Sequence, residues 1–401
     1  MRVNQVEKNE LMKKILFVFH VSTIGGGSYC LLNILKSLDR TTVKPYVLLC
    51  ENGPLVDEIK KLGIEVFFLK DMRMVPYNWS LLTKSALMNT YHINRSFKDF
   101  RKIVLDLGVD IVYINTMMLY PYLKQAKTLK KKTVIHIREH WPEGEHKWQR
   151  ERAIKHIKKY ADHIVAINTY SASMLEERAN DVVVVYDWVD FSERYEPISL
   201  NKIFLEDVSK KKIYLFTGGM ARIKGGYQVL KCFTEKIKGE DKRLLFLGYD
   251  MDRPTGGFNG FLKRFLFKLG YEINEMKIRQ IVANDKRIKC IPATYKLVDI
   301  INQSYCMLSY FTKPHANLAM VECLILGTPV VAAWTEEADE YSQGASHVCF
   351  FEMNNMDSFA EAVLRMDEKL QDNNPKPAKE LEVLFSRDYN VDNLNNLIEQ
   401  I

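Results

Sequence analysis

Short, continuously apolar runs, set between longer amphipathic stretches, recur along this chain. Residues 182–186 read Val-Val-Val-Val-Tyr and residues 329–333 read Pro-Val-Val-Ala-Ala. A strand with one wet face alternates apolar and polar residues. A run apolar at every position is a strand buried on both faces, which is what a parallel sheet covered by helices requires. Runs of this kind recur at 14–20, 45–50, 64–69, 110–115, 133–138, 163–167 and 182–186. The pattern weakens over the polar stretch 188–202, which reads as a linker. It then resumes at 213–217, 243–248, 287–291, 305–310, 329–333 and 347–351. Helices are expected at 224–238, 260–283, 318–326, 356–371 and 391–401. The expectation is α/β: two doubly wound, Rossmann-like domains over 1–190 and 205–385, with a last helical segment over 386–401. Ligands of such sheets bind at the carboxyl ends of the strands, so loops there are where chemistry is sought.

Composition supports two full cores. Of 401 residues, 47% are hydrophobic and 27% charged, so neither disulfide nor metal staples are needed. No run reaches the ~18 apolar residues of a membrane span, and the polar start, MRVNQVEKNELMKK, does not read as a signal peptide. The seven cysteines are scattered without a C-x-x-C, which suits reduced residues in a cytoplasmic protein. Net charge is +7, modest for a dedicated nucleic-acid binder, and no nucleic-acid partner is expected. The excess is clustered, however. Lys124, Lys127, Lys130, Lys131 and Lys132 form one group, and Lys147, Arg150, Arg152, Lys155, Lys158 and Lys159 another. Such groups suit an anionic membrane surface or a solvated helix face equally.

Three stretches carry candidate chemistry. Gly25-Gly26-Gly27-Ser28 follows the first strand and opens a helix, a place where backbone N–H groups approach a ligand or its phosphate. Gly218-Gly219 ends a strand of the second domain, and Arg222, Lys224 and Gly225-Gly226 follow; two cations beside a glycine loop suit a diphosphate. In the third, His315, Ala316, Asn317 and Leu318 lead into an apolar helix that carries Glu322 and stops at Gly327-Thr328-Pro329. A carboxylate on such a helix needs donors, and ribose hydroxyls are suitable ones.

Here the chain resembles a family. Glu322 followed by Gly327-Thr328-Pro329-Val330-Val331 is similar to the E-A-x-A-x-G-x-P-V-V segment of retaining family 4 glycosyltransferases with the GT-B fold. Lys224-Gly225 resembles their K-G pair, Tyr186-Asp187-Trp188-Val189-Asp190 their N-G-V-D segment, and Gly26-Gly27 their first glycine loop. The resemblance runs in order over about the whole chain. It implies two Rossmann-like domains facing across a cleft, a nucleotide-sugar held by the second, and a last helix returning to the first. It implies catalysis by Lys224 and Arg222, with His136 and Arg138 facing the sugar from the first domain. Donor contacts fall on Glu322, His315, Ala316, Asn317, Leu318, Gly218 and Gly219, and acceptor or phosphate contacts on Gly26, Gly27 and Ser28. Three positions depart from the pattern. Pro314 stands where the family has a glutamate, Gly219 where it has an arginine, and Arg138 where it has a histidine.

The function expected is transfer of a sugar from a nucleotide-diphosphate sugar to a glycan or lipid-linked acceptor in bacterial surface polysaccharide synthesis. No cofactor and no metal are expected, although Asp250-Met251-Asp252 is a D-x-D. The alternatives are a sugar-nucleotide epimerase of similar fold and a catalytically silent nucleotide-sugar binder, the latter motivated by Pro314. Peripheral contact with the inner face of the membrane is also expected. Residues 256–271, with Phe258, Phe261 and Phe265 on one side and Lys263, Arg264 and Lys268 on the other, offer an interfacial helix for it.

Overall fold

The apolar runs form two parallel sheets. The computed structural model describes residues 12–23, 25–75, 83–141, 144, 146–176, 181–191, 197–251, 274–294, 297–372 and 375–401. In the first sheet β1 (Lys13–Val18), β2 (Val43–Leu49), β3 (Glu65–Phe68), β4 (Ile111–Ile114), β5 (Lys132–Ile137), β6 (His163–Ala166) and β7 (Val182–Val184) lie in the order β3-β2-β1-β4-β5-β6-β7. In the second, β8 (Lys212–Phe216), β9 (Lys242–Leu247), β10 (Ile288–Ile291), β11 (Cys306–Ser309), β12 (Val330–Ala333) and β13 (Val348–Phe351) lie in the order β10-β9-β8-β11-β12-β13. All the pairings are parallel.

Why the runs are apolar throughout is visible in β1. Leu16 and Val18 join one core with Val112 and Ile114, while Ile15 and Phe17 join another with Ile111 and Tyr113. With both faces covered, each such side chain contributes about 1.5–3 kcal/mol by leaving water. In both sheets the strand order reverses beside the first strand of the series, between β1 and β4 and between β8 and β11. At these points the two following loops run in opposite directions and leave a crevice at the carboxyl ends.

The chain divides into two compact units, residues 1–188 with 387–401, and residues 189–386. The helix Arg387–Gln400 belongs to the first. Leu394, Leu397 and Ile398 enter its core, the Tyr186 amide donates to Asn390 Oδ1 at 2.7 Å, and Lys13 Nζ donates to the Ile398 carbonyl at 2.8 Å. The stretch 189–204 lies in the second unit. Leu200 and Phe204 of a short helix capped by Ser199 are buried, and the Val189 amide donates to the Phe385 carbonyl.

The helix expected at 318–326 is Leu318–Leu326. The one expected from 224 starts instead at Gly226, because Gly225 has φ +69° and breaks the helical backbone; Arg222–Lys224 form a 3-10 turn before it. Of the helix expected at 260–283, Asn274–Asn284 is described. The stretch 256–271, with its proposed interfacial face, lies outside the described residues, as does Asp252 of the D-x-D. Among the described residues no helix is long and apolar enough to cross a membrane, and no group of three or more His, Cys, Asp or Glu could hold a metal.

Candidate functional site

In the second unit the candidate residues gather at the β8/β11 switch point. The loop after β8 is drawn tight by glycine. A Cβ on Gly225 would stand 2.0 Å from the Tyr310 carbonyl oxygen, and one on Gly219 (φ +56°) 2.8 Å from that of Gly248. Gly218 is closed in by the Phe216 ring and Lys224 Cβ. This packing sets the 3-10 turn against the loop after β11, where the Thr312 amide donates to the Ile223 carbonyl at 2.8 Å. Lys224 is thereby held beside Phe311 and His315. Its ammonium stands 5.8 Å from the centre of the Phe311 ring, and that ring lies 5.2 Å from the His315 ring.

The electrostatics of this group are uncompensated. Lys224 has no carboxylate partner among the described residues, and burial lowers its pKa. His315 is pushed down to about 4 by burial and then by the Lys224 charge, so it is neutral at pH 7. Arg222 is exposed on the same turn.

The helix Leu318–Leu326 starts where this loop ends. Asn317 caps it: its Oδ1 accepts from the Met320 amide at 3.3 Å, and its Nδ2 donates to Ser309 Oγ at 2.8 Å, pinning the cap to β11. The Leu318 and Ala319 amides have no intrahelical acceptor, as at any helix start, and the positive end of the helix dipole lies there beside Ala316. Glu322 stands one turn further along the half-buried side that Leu318 also occupies. No hydrogen bond reaches its carboxylate among the described residues, and burial raises its pKa to about 7. Gly327, at φ +83°, ends the helix.

The first unit is built differently at the equivalent place. Gly25 and Gly26 are exposed, and a Cβ on either would meet nothing within 4 Å. Only Ser28 is tied down, its Oγ donating to the Thr23 carbonyl at 2.6 Å. The charged groups beneath are paired. Arg138 Nη2 donates to both carboxylate oxygens of Asp187, and the two side chains are 6% and 15% exposed. Burial alone would lower the Arg138 pKa; the Asp187 charge outweighs it and raises it. The thiol of Cys30, on the helix Gly26–Ser37, is raised by burial and then by Asp187. Glu139 accepts from Thr116 Oγ1 at 2.5 Å and from the Met117 amide at 3.1 Å; burial, opposed by these bonds, raises its pKa. His136 is fully buried, with Nδ1 2.9 Å from the Tyr113 hydroxyl, and burial holds it well below its ordinary pKa.

His136 and Arg138, expected to face a sugar, are placed below the surface, with His136 Nε2 and Arg138 Nη1 buried and without a hydrogen-bond partner among the described residues. Burial encloses His136, and Asp187 takes the Arg138 charge. Both form a buried polar floor under the ends of β4, β5 and β7. Sequence reasoning did not find the partners Asp187, Glu139 and Thr116, nor Phe311 beside Lys224. Each is set by a contact between loops distant in sequence, and Asp187 was marked only through the resemblance.

The model of Glycosyltransferase Family 4 matches residues 24–193, nearly the whole first unit before its C-terminal helix. Among curated proteins none matches. Of solved structures, Anabaena Alr3699/HepE in complex with UDP-glucose is similar with a TM-score of 0.74 at 15% identity, covering 97% of this chain and 100% of that one. The lipopolysaccharide outer core galactosyltransferase WaaB is similar with a TM-score of 0.59 at 15% identity, covering 97% and 99%. A putative UDP-N-acetylglucosamine 2-epimerase from Listeria monocytogenes follows with 0.58 at 11% identity, covering 90% and 89%. At these identities the solved structures speak for the fold, two parallel α/β units of GT-B type. The match to Glycosyltransferase Family 4 covers residues 24–193 of the first unit, and the likeness to the solved structures extends the GT-B fold over both units.

Proposed function

We infer that this chain is a retaining glycosyltransferase that moves a hexose from a nucleotide-diphosphate sugar, of the UDP class, to a lipid-linked glycan acceptor in bacterial surface polysaccharide synthesis. The observation that carries the reading is Lys224, a half-buried cation without a counter-ion among the described residues, held beside neutral His315 at the β8/β11 crevice. A buried charge left unpaired costs stability unless a ligand completes it, and a diphosphate is the ligand whose charge fits. The UDP-glucose in HepE supports a uridine donor, and the acceptor named for WaaB supports a lipid-linked glycan.

In this reading Lys224 and Arg222 bind the diphosphate together with the Leu318 and Ala319 amides. Gly218, Gly219 and Ala316 let the backbone approach it. Glu322 accepts hydrogen bonds from the ribose hydroxyls, and His315, with Asn317 holding its loop, contacts the donor sugar. As the bond from the anomeric carbon to the phosphate oxygen breaks, charge grows on the leaving diphosphate, and the fixed cations and amides stabilise it most at that point. The acceptor hydroxyl oxygen bonds to the anomeric carbon on the same face, and its proton passes to the leaving phosphate oxygen. No protein nucleophile is then required. Gly26, Gly27 and Ser28 contact the acceptor, while Arg138 and His136 act as positioning residues beneath them.

The test is calorimetric titration with UDP, GDP and ADP, followed by transfer from the bound donor to a polyprenyl-diphosphate glycan, with the product anomer assigned by NMR. Tight UDP binding and an axial product from an axial donor are expected. Conversion of the donor without an acceptor would favour the epimerase. Binding without either reaction would favour a silent binder, and an inverted product would overturn retention.

A further inference from the structure

We propose that the helix Lys147–Tyr160 of the first unit is the surface that docks this protein on an anionic lipid bilayer, with lipid phosphates seated along its outer stripe. Trp148, Arg152, Lys155 and Lys159 are spaced i, i+4, i+7 and i+11, so they share one face, and all four are exposed. The opposite face, Gln149, Arg150, Ala153, Ile154 and Ile157, is buried against the unit and fixes the helix in place. The outer face borders an open groove of about 410 Å³ that His156 and Tyr160 help to line.

Three observations make this face unlike an ordinary solvated one. First, its cations lack carboxylate partners among the described residues; Lys159 stands over the Tyr160 ring at 5.2 Å. Neighbouring lysines have partners: Lys127 with Asp162, Lys147 with Glu151 and Lys158 with Glu176. Arg152, Lys155 and Lys159, and Lys124 on the adjacent helix Pro121–Thr128, have no carboxylate partner among the described residues. Among the described residues Glu151 is the one acid bordering the groove, and it faces Lys147 at 3.9 Å. Second, these cations act together. The His156 ring between them is held down to about 4 by burial and then by Lys124, Arg152 and Lys159. Third, aromatic residues accompany the charge. Trp148 is 48% exposed at one end of the stripe, and the His156 ring packs 4.5 Å from Tyr160 and 5.1 Å from Tyr120. Cations with an exposed tryptophan match the headgroup layer, where indole sits at the apolar boundary and cations meet phosphate.

The proposal deepens the lipid-linked acceptor reading and rests on it for the reason a bilayer is needed. Its test does not involve transfer. The full chain is sedimented with vesicles of phosphatidylcholine mixed with phosphatidylglycerol, and with phosphatidylcholine alone. Each cation near an anionic bilayer strengthens binding by about fivefold, so an Arg152→Ser, Lys155→Ser, Lys159→Ser variant is expected to lose roughly a hundredfold in partitioning. Its thermal transition stays at the wild-type temperature because the three side chains are exposed. Trp148→Phe is expected to remove a blue shift of tryptophan emission seen on adding the mixed vesicles. The proposal is overturned if the triple variant binds mixed vesicles as the wild type does, if wild type binds phosphatidylcholine alone equally well, or if duplex DNA but not vesicles is bound. It also falls if a Phe261→Ser, Phe265→Ser variant loses vesicle binding while the triple variant keeps it. UDP titration of the triple variant separates the two readings: unchanged UDP affinity with lost vesicle binding leaves the donor site standing, and vesicle binding without UDP binding leaves the docking surface standing.

Discussion

The two units solve the same topology with opposite electrostatics at the same place. Both reverse strand order beside their first strand, and both put a glycine loop there. In the first unit the loop is open and the buried charges under it are paired, Arg138 with Asp187. In the second the loop is packed to contact, and Lys224 and Glu322 beside it have no charged or hydrogen-bonding partner among the described residues. The charge of Arg138 is met by Asp187, although its Nη1 is left without a hydrogen-bond partner among the described residues. An unpaired buried charge is a cost that the fold carries until a ligand of the right charge arrives. Under the proposed function, the difference separates residues that build the protein from residues that bind.

The largest effect that could break this comparison is on stability. Asp187→Ala leaves the Arg138 guanidinium buried and unpaired, which costs about 3–5 kcal/mol. Urea unfolding should show that loss, whereas Lys224→Ala should leave the midpoint unchanged or raised. Equal losses in both variants would mean that Lys224 is structural too.

The second effect is on turnover. Lys224→Ala is expected to lower kcat by about a hundredfold, the scale of one lost donor to a developing anion, with a smaller change in KM. Arg222→Ala should act in the same direction and less strongly, since its side chain is exposed. A pure rise in KM would place Lys224 in ground-state binding only.

The third is a pH dependence. Burial raises the Glu322 pKa from an ordinary 4.5 to about 7, so the folded state holds a proton that the unfolded chain has released between those values. That stability is present below about pH 4.5 and is lost as pH rises through about 7, by roughly 2 kcal/mol given partial exposure. Ribose hydroxyls donate to the charged form, so donor affinity should rise over the same window. Glu322→Gln should flatten both slopes, and a slope that survives in the variant would assign it elsewhere.

How legible this was from sequence differs between framework and site. The strands were legible because burial on both faces leaves nothing polar in the run, as in Ile111–Ile114, and Leu318–Leu326 because Asn317 and Gly327 mark its ends with local chemistry. Gly225 was visible as a glycine, but its left-handed backbone, which shortens the next helix, depends on the Tyr310 carbonyl 85 residues later in the chain. The Arg138–Asp187 pair was hidden for the same reason. Its members are 49 residues apart and meet only once β5, β6 and β7 are laid side by side. Spacing within a strand put His136 and Arg138 on one face, yet it could not say that the face was covered.

The smallest effect sharpens the comparison most. Gly26 begins the helix Gly26–Ser37, and a Cβ there meets nothing within 4 Å. Alanine is the better helix former, so Gly26→Ala should change unfolding free energy by no more than about 0.5 kcal/mol, and in the stabilising direction. UDP affinity, assigned to the other unit, should not move. If the open loop serves only to turn the chain into the helix, transfer should not move either. If its openness admits the acceptor, the added methyl occupies that space, and the KM for acceptor should rise by about tenfold, with kcat and donor KM held. Measuring the two KM values on a variant that is as stable as wild type removes folding from the question. An unchanged acceptor KM would reduce the first glycine loop to a turn and leave acceptor recognition to other residues of the first unit.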